Sequence, residues 1–215
     1  MDAVLENLPL YWQGFRTTLT LALVAGVAAL VLGTILGAFR VSPVPPLRLF
    51  GATYVELVRN TPLTIVFFFF VFVAPQIGIR VPFFYSAVLA LSVYTAAFVC
   101  EAVRSGVNSV SVGQAEAARS VGLTFTQTLR EVVLPQAFRT IVPPLINIFI
   151  ALTKNTSVAG GFFVLELFGV GRRLANAYGG DVIAVLLGVA FFYLVITIPS
   201  GLLANRVERK VAFAR

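Results

Sequence analysis

The long runs free of Asp, Glu, Lys and Arg constrain this chain more than anything else in it: 17–39, 60–79, 81–100, 140–153 and 182–205. Four of them reach the roughly 20 residues that a helix needs to cross about 30 Å of hydrocarbon. Without water, every backbone N–H and C=O has to bond within its own segment, so such runs become helices. Hydrophobic residues make up 59% of the chain and charged residues 12%, whereas a soluble domain carries about 25% charged. A disordered chain and a soluble enzyme are both excluded. The expectation is an all-α integral membrane protein, one domain over 1–215.

The run 140–153 is short and contains Pro143-Pro144, and extending it both ways makes a fourth span. The five predicted transmembrane helices then cover about 17–39, 58–79, 81–103, 136–156 and 182–205. Acidic Asp2 and Glu6 precede the first run where a signal peptide is basic, so that run stays as a membrane helix. Five crossings place the termini on opposite sides. With the C-terminus inside, Arg40, Arg48, Arg59, Arg104, Arg119, Arg130, Arg139, Arg206, Arg209, Lys210 and Arg215 fall in cytoplasmic segments. Arg16, Arg80, Lys154, Arg172 and Arg173 fall outside. Eleven against five gives N-out, C-in by the positive-inside rule. The net charge of +7 is thus explained by the lipid bilayer, with no nucleic acid implied. The segment from about 157 to 180 lies outside, with a short interfacial helix expected within 162–168. Gly33 and Gly37 form a G-x-x-x-G, a spacing that favours helix contact.

There is no His, and Cys100 is the only cysteine. Disulfides, Cys/His zinc sites and Ser-His-Asp or Cys-His catalysis are therefore excluded.

The cytoplasmic loop at 109–135 is locally well specified. Ser111 and Gln114 read as a capping box, opening a helix in which Glu116 can pair with Arg119. Gly122 stands where a left-handed residue ends that helix. Thr124 and Gln127 read as a second capping box, opening a helix that meets Pro135. The hairpin suits docking: Ala115, Ala117 and Ala118 present little bulk, and Glu116 offers a charge. An amphipathic helix resting on headgroups is the plainer alternative, though its polar face is less basic than such helices usually are.

Glu116-Ala117-Ala118, three residues, Gly122, nine residues, then Val132-Val133-Leu134-Pro135 resembles the EAA motif of membrane subunits of ABC-type importers, with Val132 in place of an isoleucine. Arg59-Asn60-Thr61-Pro62-Leu63, Glu101-Ala-Val-Arg104-Ser-Gly106 and Lys154-Asn155-Thr156-Ser157 with Glu166-Leu167 extend the likeness to the polar amino-acid permeases, nearest the glutamate-type branch. The resemblance implies a type I ABC importer permease fold in a plasma or inner membrane. It implies a dimer of cytoplasmic ATPase subunits, a second permease subunit that is identical or, as is common in the glutamate-type branch, a homologous different chain, and an extracytoplasmic amino-acid-binding protein. Glu116, Ala117, Ala118 and Gly122 would then couple to the ATPase. The chain has no P-loop, so it is not itself an ATPase, and ATP and Mg would be bound by the partner.

Ionisable and polar groups at membrane depth need a reason. Asn60 and Thr61 beside Pro62, Tyr94 and Thr95 in the third span, and Lys154, Asn155, Thr156 and Ser157 in the fourth are the candidates for a substrate pathway. Lys154 suits a substrate carboxylate, or else snorkels to the interface. Glu166 suits a substrate ammonium. Arg59 reads equally as a cytoplasmic anchor, Glu101 with Arg104 as a local ion pair, and Phe67–Phe70 as packing bulk. The expected function is a permease of an ATP-driven importer of glutamate, glutamine or aspartate. The alternative is a secondary transporter or channel working without an ATPase, which a chain lacking internal duplication and membrane-centred carboxylates disfavours.

Overall fold

The computed structural model describes residues 2–212, and every regular element among them is helical. After one turn at Asp2–Leu5 come α1 (Leu8–Val41), α2 (Pro45–Arg59), α3 (Leu63–Ile77), α4 (Phe83–Asn108), α5 (Val112–Ser120), α6 (Phe125–Gly160), α7 (Leu167–Ala177) and α8 (Val182–Ala212). α1, α4, α6 and α8 are each long and apolar enough to cross a membrane, and α2 with α3 makes a fifth, broken unit.

Side-chain contacts set the directions. A Cβ on Gly33 would lie 2.5 Å from Val99, and one on Gly37 2.7 Å from Val103, so the G-x-x-x-G is a close contact between parallel α1 and α4. Gly106 of α4 sits against Ile141 of α6, while Tyr94 shares a cavity with Leu152 and Asn155, so α6 runs antiparallel to α4. The Tyr11 hydroxyl donates to the Val185 carbonyl at 2.9 Å, and its ring stacks on Phe192. The C-terminal ends of α1, α4 and α8 and the start of α6 gather at one end of the bundle, where most of the basic residues lie.

The second span departs from its predicted 58–79. Val58 and Arg59 belong to α2, and α3 begins at Leu63, bent from α2 by 101°. Pro62 disfavours helical backbone at Thr61 and donates no N–H. The side chains of Asn60 and Thr61 turn back onto the carbonyls of Glu56 and Leu57, at 2.8 and 2.7 Å, satisfying groups that the helix end would orphan. From Leu63 to Ile77, α3 covers about 22 Å, short of a full crossing.

Both π-helical turns come just before a proline: Phe69–Val73 precedes Pro75, and Thr128–Val133 precedes Pro135. Widening the helix there accommodates a ring that would clash with the preceding turn. Consequently the predicted meeting with Pro135 is no end. The second arm of the hairpin continues without interruption through Pro143-Pro144 into the predicted fourth span, so that the helix carrying it begins at Phe125, 11 residues before 136. The helix that carries the predicted first span likewise begins earlier, at Leu8.

The interfacial helix expected within 162–168 forms later, at Leu167–Ala177. Residues 162–166 instead make a turn in which Phe163 adopts φ 66° and Phe162 enters the core, stacking on Phe67 at 5.1 Å. Phe67 is buried, as packing bulk should be. Around it Leu21, Leu91, Leu152 and Phe162 close the bundle at this depth.

Candidate substrate pathway and coupling hairpin

Tyr94, Thr95 and Phe98 of α4 and Ile148, Ala151, Leu152 and Asn155 of α6 line a cavity of about 250 Å³ between the two helices. Three of the predicted pathway residues therefore meet: Tyr94, Thr95 and Asn155. Helical spacing explains it, since 94, 95 and 98 share one face of α4, as 148, 151, 152 and 155 share one face of α6. Tyr94 packs on Phe98 with ring centroids 5.2 Å apart. An apolar cavity with a few convergent polar groups is what an orienting site for a small ligand requires.

Asn60 lies elsewhere. With Arg40, Val55, Glu56, Arg59 and Glu101 it lines a second, more polar cavity of about 410 Å³, and Phe98 is the wall common to both. Glu101 is the hub there. Its carboxylate accepts from Arg40 at 2.7 Å and from Arg104 at 2.9 Å, with Arg59 at 3.9 Å. The Arg59 guanidinium lies over the Phe98 ring, 5.4 Å from its centroid. The local Glu101–Arg104 pair was legible at i,i+3. Arg40, 61 positions away, and Phe98 were not, because nothing in a linear pattern brings the end of α1 to the end of α4.

The other candidates occupy different surroundings. Thr61 bonds to its own helix. Lys154 is exposed, lines neither cavity and has no ion pair among the described residues. Thr156 is buried and donates to the Thr153 carbonyl at 2.7 Å, and Ser157 is half-buried at the start of the last turn of α6.

The expectation that Glu166 meets a substrate ammonium is corrected. Its side chain is fully buried and caps α7, accepting from Gly169 N at 2.7 Å, Phe168 N at 3.0 Å, Tyr193 Oη at 2.6 Å and Thr18 Oγ1 at 3.4 Å. Burial pushes its carboxyl up from the ordinary range, against the pull of these donors. It joins α1, α7 and α8 and leaves no face for a ligand.

At the basic end, the hairpin forms as α5 followed by the start of α6. Gly122 takes φ 93°, Gly122 N donates to the Arg119 carbonyl and Leu123 N to that of Ala118, a Schellman ending. The Thr124–Gln127 capping box is complete in both directions. The Ser111–Gln114 box is not: Ser111 stands at the N-cap, but its side chain makes no capping bond. The expected Glu116–Arg119 ion pair is also absent among the described residues, which leaves the Glu116 carboxylate exposed. Ala117 and Gly122 are exposed as well, whereas Ala118 turns inward and is buried. Val112, Val121 and Phe125 of the same hairpin stand 72%, 79% and 74% exposed, apolar side chains left uncovered among the described residues.

Comparison with known proteins matches residues 29–213 to the family of binding-protein-dependent transport system inner membrane components. The chain is 39% identical to the probable glutamine ABC transporter permease protein GlnM of Bacillus subtilis, over 98% of this chain and 97% of that one. It is 38% identical to the glutamate transport system permease protein GluC of Corynebacterium efficiens, over 95% and 93%. Among solved structures, an amino acid ABC transporter crystallised with histidines superposes with a TM-score of 0.90 at 28% identity, covering 96% of each chain. An inward-facing MetNI methionine transporter shares the fold, with a TM-score of 0.80 at 22% identity, covering 96% of this chain and 98% of that one.

Proposed function

From the premise that this chain belongs to the binding-protein-dependent inner membrane components, and so is a multi-pass permease subunit of an amino-acid ABC importer, we propose that it carries glutamate and its near relatives glutamine and aspartate. Relatives named for glutamine and for glutamate at 37–39% identity support that class. Lys154 favours the acidic member: an exposed lysine beside Asn155 presents positive charge next to the mid-bundle cavity, where a side-chain carboxylate gains from it.

The observation that carries the mechanism is the unbroken α6. Its first turns form one arm of the hairpin, and its far end supplies Ile148, Ala151, Leu152 and Asn155 to the cavity. In this reading the hairpin, through Glu116, Ala117 and Gly122 with Val112, Val121 and Phe125 around them, seats in a cleft of a cytoplasmic ATPase subunit. Ala118 supports the turn from within. Closure of an ATPase dimer on ATP and Mg displaces the hairpin, and α6, about 54 Å long, transmits the displacement to the cavity wall. Tyr94, Thr95 and Asn155 orient the substrate by hydrogen bonds. A second, homologous permease subunit and an extracytoplasmic binding protein complete the assembly, the latter delivering substrate at the end away from the hairpin.

The test is ATPase activity in proteoliposomes holding this chain with its neighbouring subunits. Loaded binding protein should stimulate hydrolysis, and Glu116→Lys should abolish the stimulation. Uptake by this chain alone, without an ATPase, would sink the reading.

A further inference from the structure

The second cavity has an unusual charge arrangement. Glu56 and Arg59 are spaced i,i+3 on α2, where a carboxylate and a guanidinium ordinarily pair, yet no such ion pair forms. Arg59 turns over Phe98 and reaches Glu101 only at 3.9 Å. The nearer positions on Glu101 are held by Arg40 and Arg104. A guanidinium with free N–H donors and a carboxylate without an ion-pair partner among the described residues therefore border one cavity of about 410 Å³. Such a volume falls in the range of about 300–1,000 Å³ usual for small-molecule sites.

Arg40 and Arg104 both hold Glu101, so the groups left to a ligand are one of each sign, the Arg59 guanidinium and the Glu56 carboxylate. A ligand carrying both charges is complementary. We infer that this cavity binds the zwitterionic head of a free amino acid, its carboxylate on Arg59 and its ammonium on Glu56, as a station between the mid-bundle cavity and the basic end. Phe98, the shared wall, is the partition that a substrate passes, and Arg59 stacked on it ties the partition to the occupancy of the second cavity. The station reads the head first, since Arg40 and Glu101 hold one another and Asn60 is the one further polar group in the lining. The inference rests on the mid-bundle cavity being a substrate site.

The test is equilibrium binding of radiolabelled L-glutamate and L-glutamine to the complete permease–ATPase complex in nanodiscs without binding protein. Two phases are expected. Arg59→Gln and Glu56→Gln should each weaken one phase about tenfold or more and leave the other, while Arg59→Lys restores part of the loss. L-alanine should displace label from that phase, and alanine amide and N-acetylalanine, each lacking one charge, should not. Asn155→Ala should weaken the other phase alone. A single phase in the unaltered complex, or competition by alanine amide equal to that by alanine, overturns the station. If Asn155→Ala acts while Arg59→Gln and Glu56→Gln change nothing, the station falls and the mid-bundle site stands. If none of the three moves binding, both fall.

Discussion

Gly122 and Glu166 show two ways in which one residue holds a bend. At Gly122 the requirement is conformational: φ is 93°, and a Cβ added there meets no atom within 4 Å, so a substitution is opposed by the backbone and not by a clash. Gly122→Val should cost about 1–3 kcal/mol locally and let the hairpin deform. Membrane insertion should be normal, with ATP hydrolysis no longer linked to uptake in proteoliposomes; normal uptake would contradict the role given to this turn. At Glu166 the requirement is chemical. Gly169 N donates to one carboxylate oxygen and Phe168 N to the other, so an amide in either orientation sets an NH2 against a backbone N–H. Glu166→Gln should therefore lower thermal stability by about 1–3 kcal/mol. Apparent substrate affinity in the surviving folded fraction should not change, whereas a ligand-binding Glu166 would show the opposite pattern.

Among the elements, α1 and α4 depend on close approach, and α6 on continuity. In Gly33→Val the side chain would meet Val99 and the Ala96 carbonyl, at 2.5 and 2.7 Å from a first Cβ, and overpacking there should cost about 1–3 kcal/mol. Gly201→Ala on α8 is the matched control, with no atom near its Cβ, and it should leave stability unchanged or slightly raised. Detergent melting curves of the two variants compare them directly, and equal melting would remove the contact from the account. Lys154 is the exposed neighbour of the cavity residue Asn155 on α6. Lys154→Ala should reduce the preference for glutamate over glutamine about tenfold, roughly 1.4 kcal/mol, if its charge assists the acidic side chain. An unchanged ratio in competition uptake would make it an interfacial anchor.

For the whole molecule, the directions of the helices put Glu6 and Arg209 at opposite ends of the bundle, both exposed. In a Cys100→Ala background, a membrane-impermeant maleimide added to intact cells should label Glu6→Cys and not Arg209→Cys. The reverse result would invert the N-out, C-in orientation and place the hairpin away from any cytoplasmic ATPase.

What the sequence determined by itself is what depends on local spacing and on the solvent. Apolar runs of bilayer length mark the candidate spans, the sorting of basic residues predicts their direction, and Gly122 with the Thr124–Gln127 box sets the hairpin turn. Tyr94, Thr95 and Asn155 were legible as polar groups amid apolar ones, because a membrane interior makes each of them costly. The tertiary structure decided what depends on which helix lies beside which. Phe98 becomes a shared wall, Arg40 finds Glu101 across 61 positions, and Glu166 is committed to donors from three helices. It also decided where helices stop. Pro62 breaks its helix because Asn60 and Thr61 satisfy the freed carbonyls, while Pro135 does not, because the π turn before it widens to admit the ring. A proline has the same local geometry in both places, and only its surroundings settle whether the chain bends or carries on.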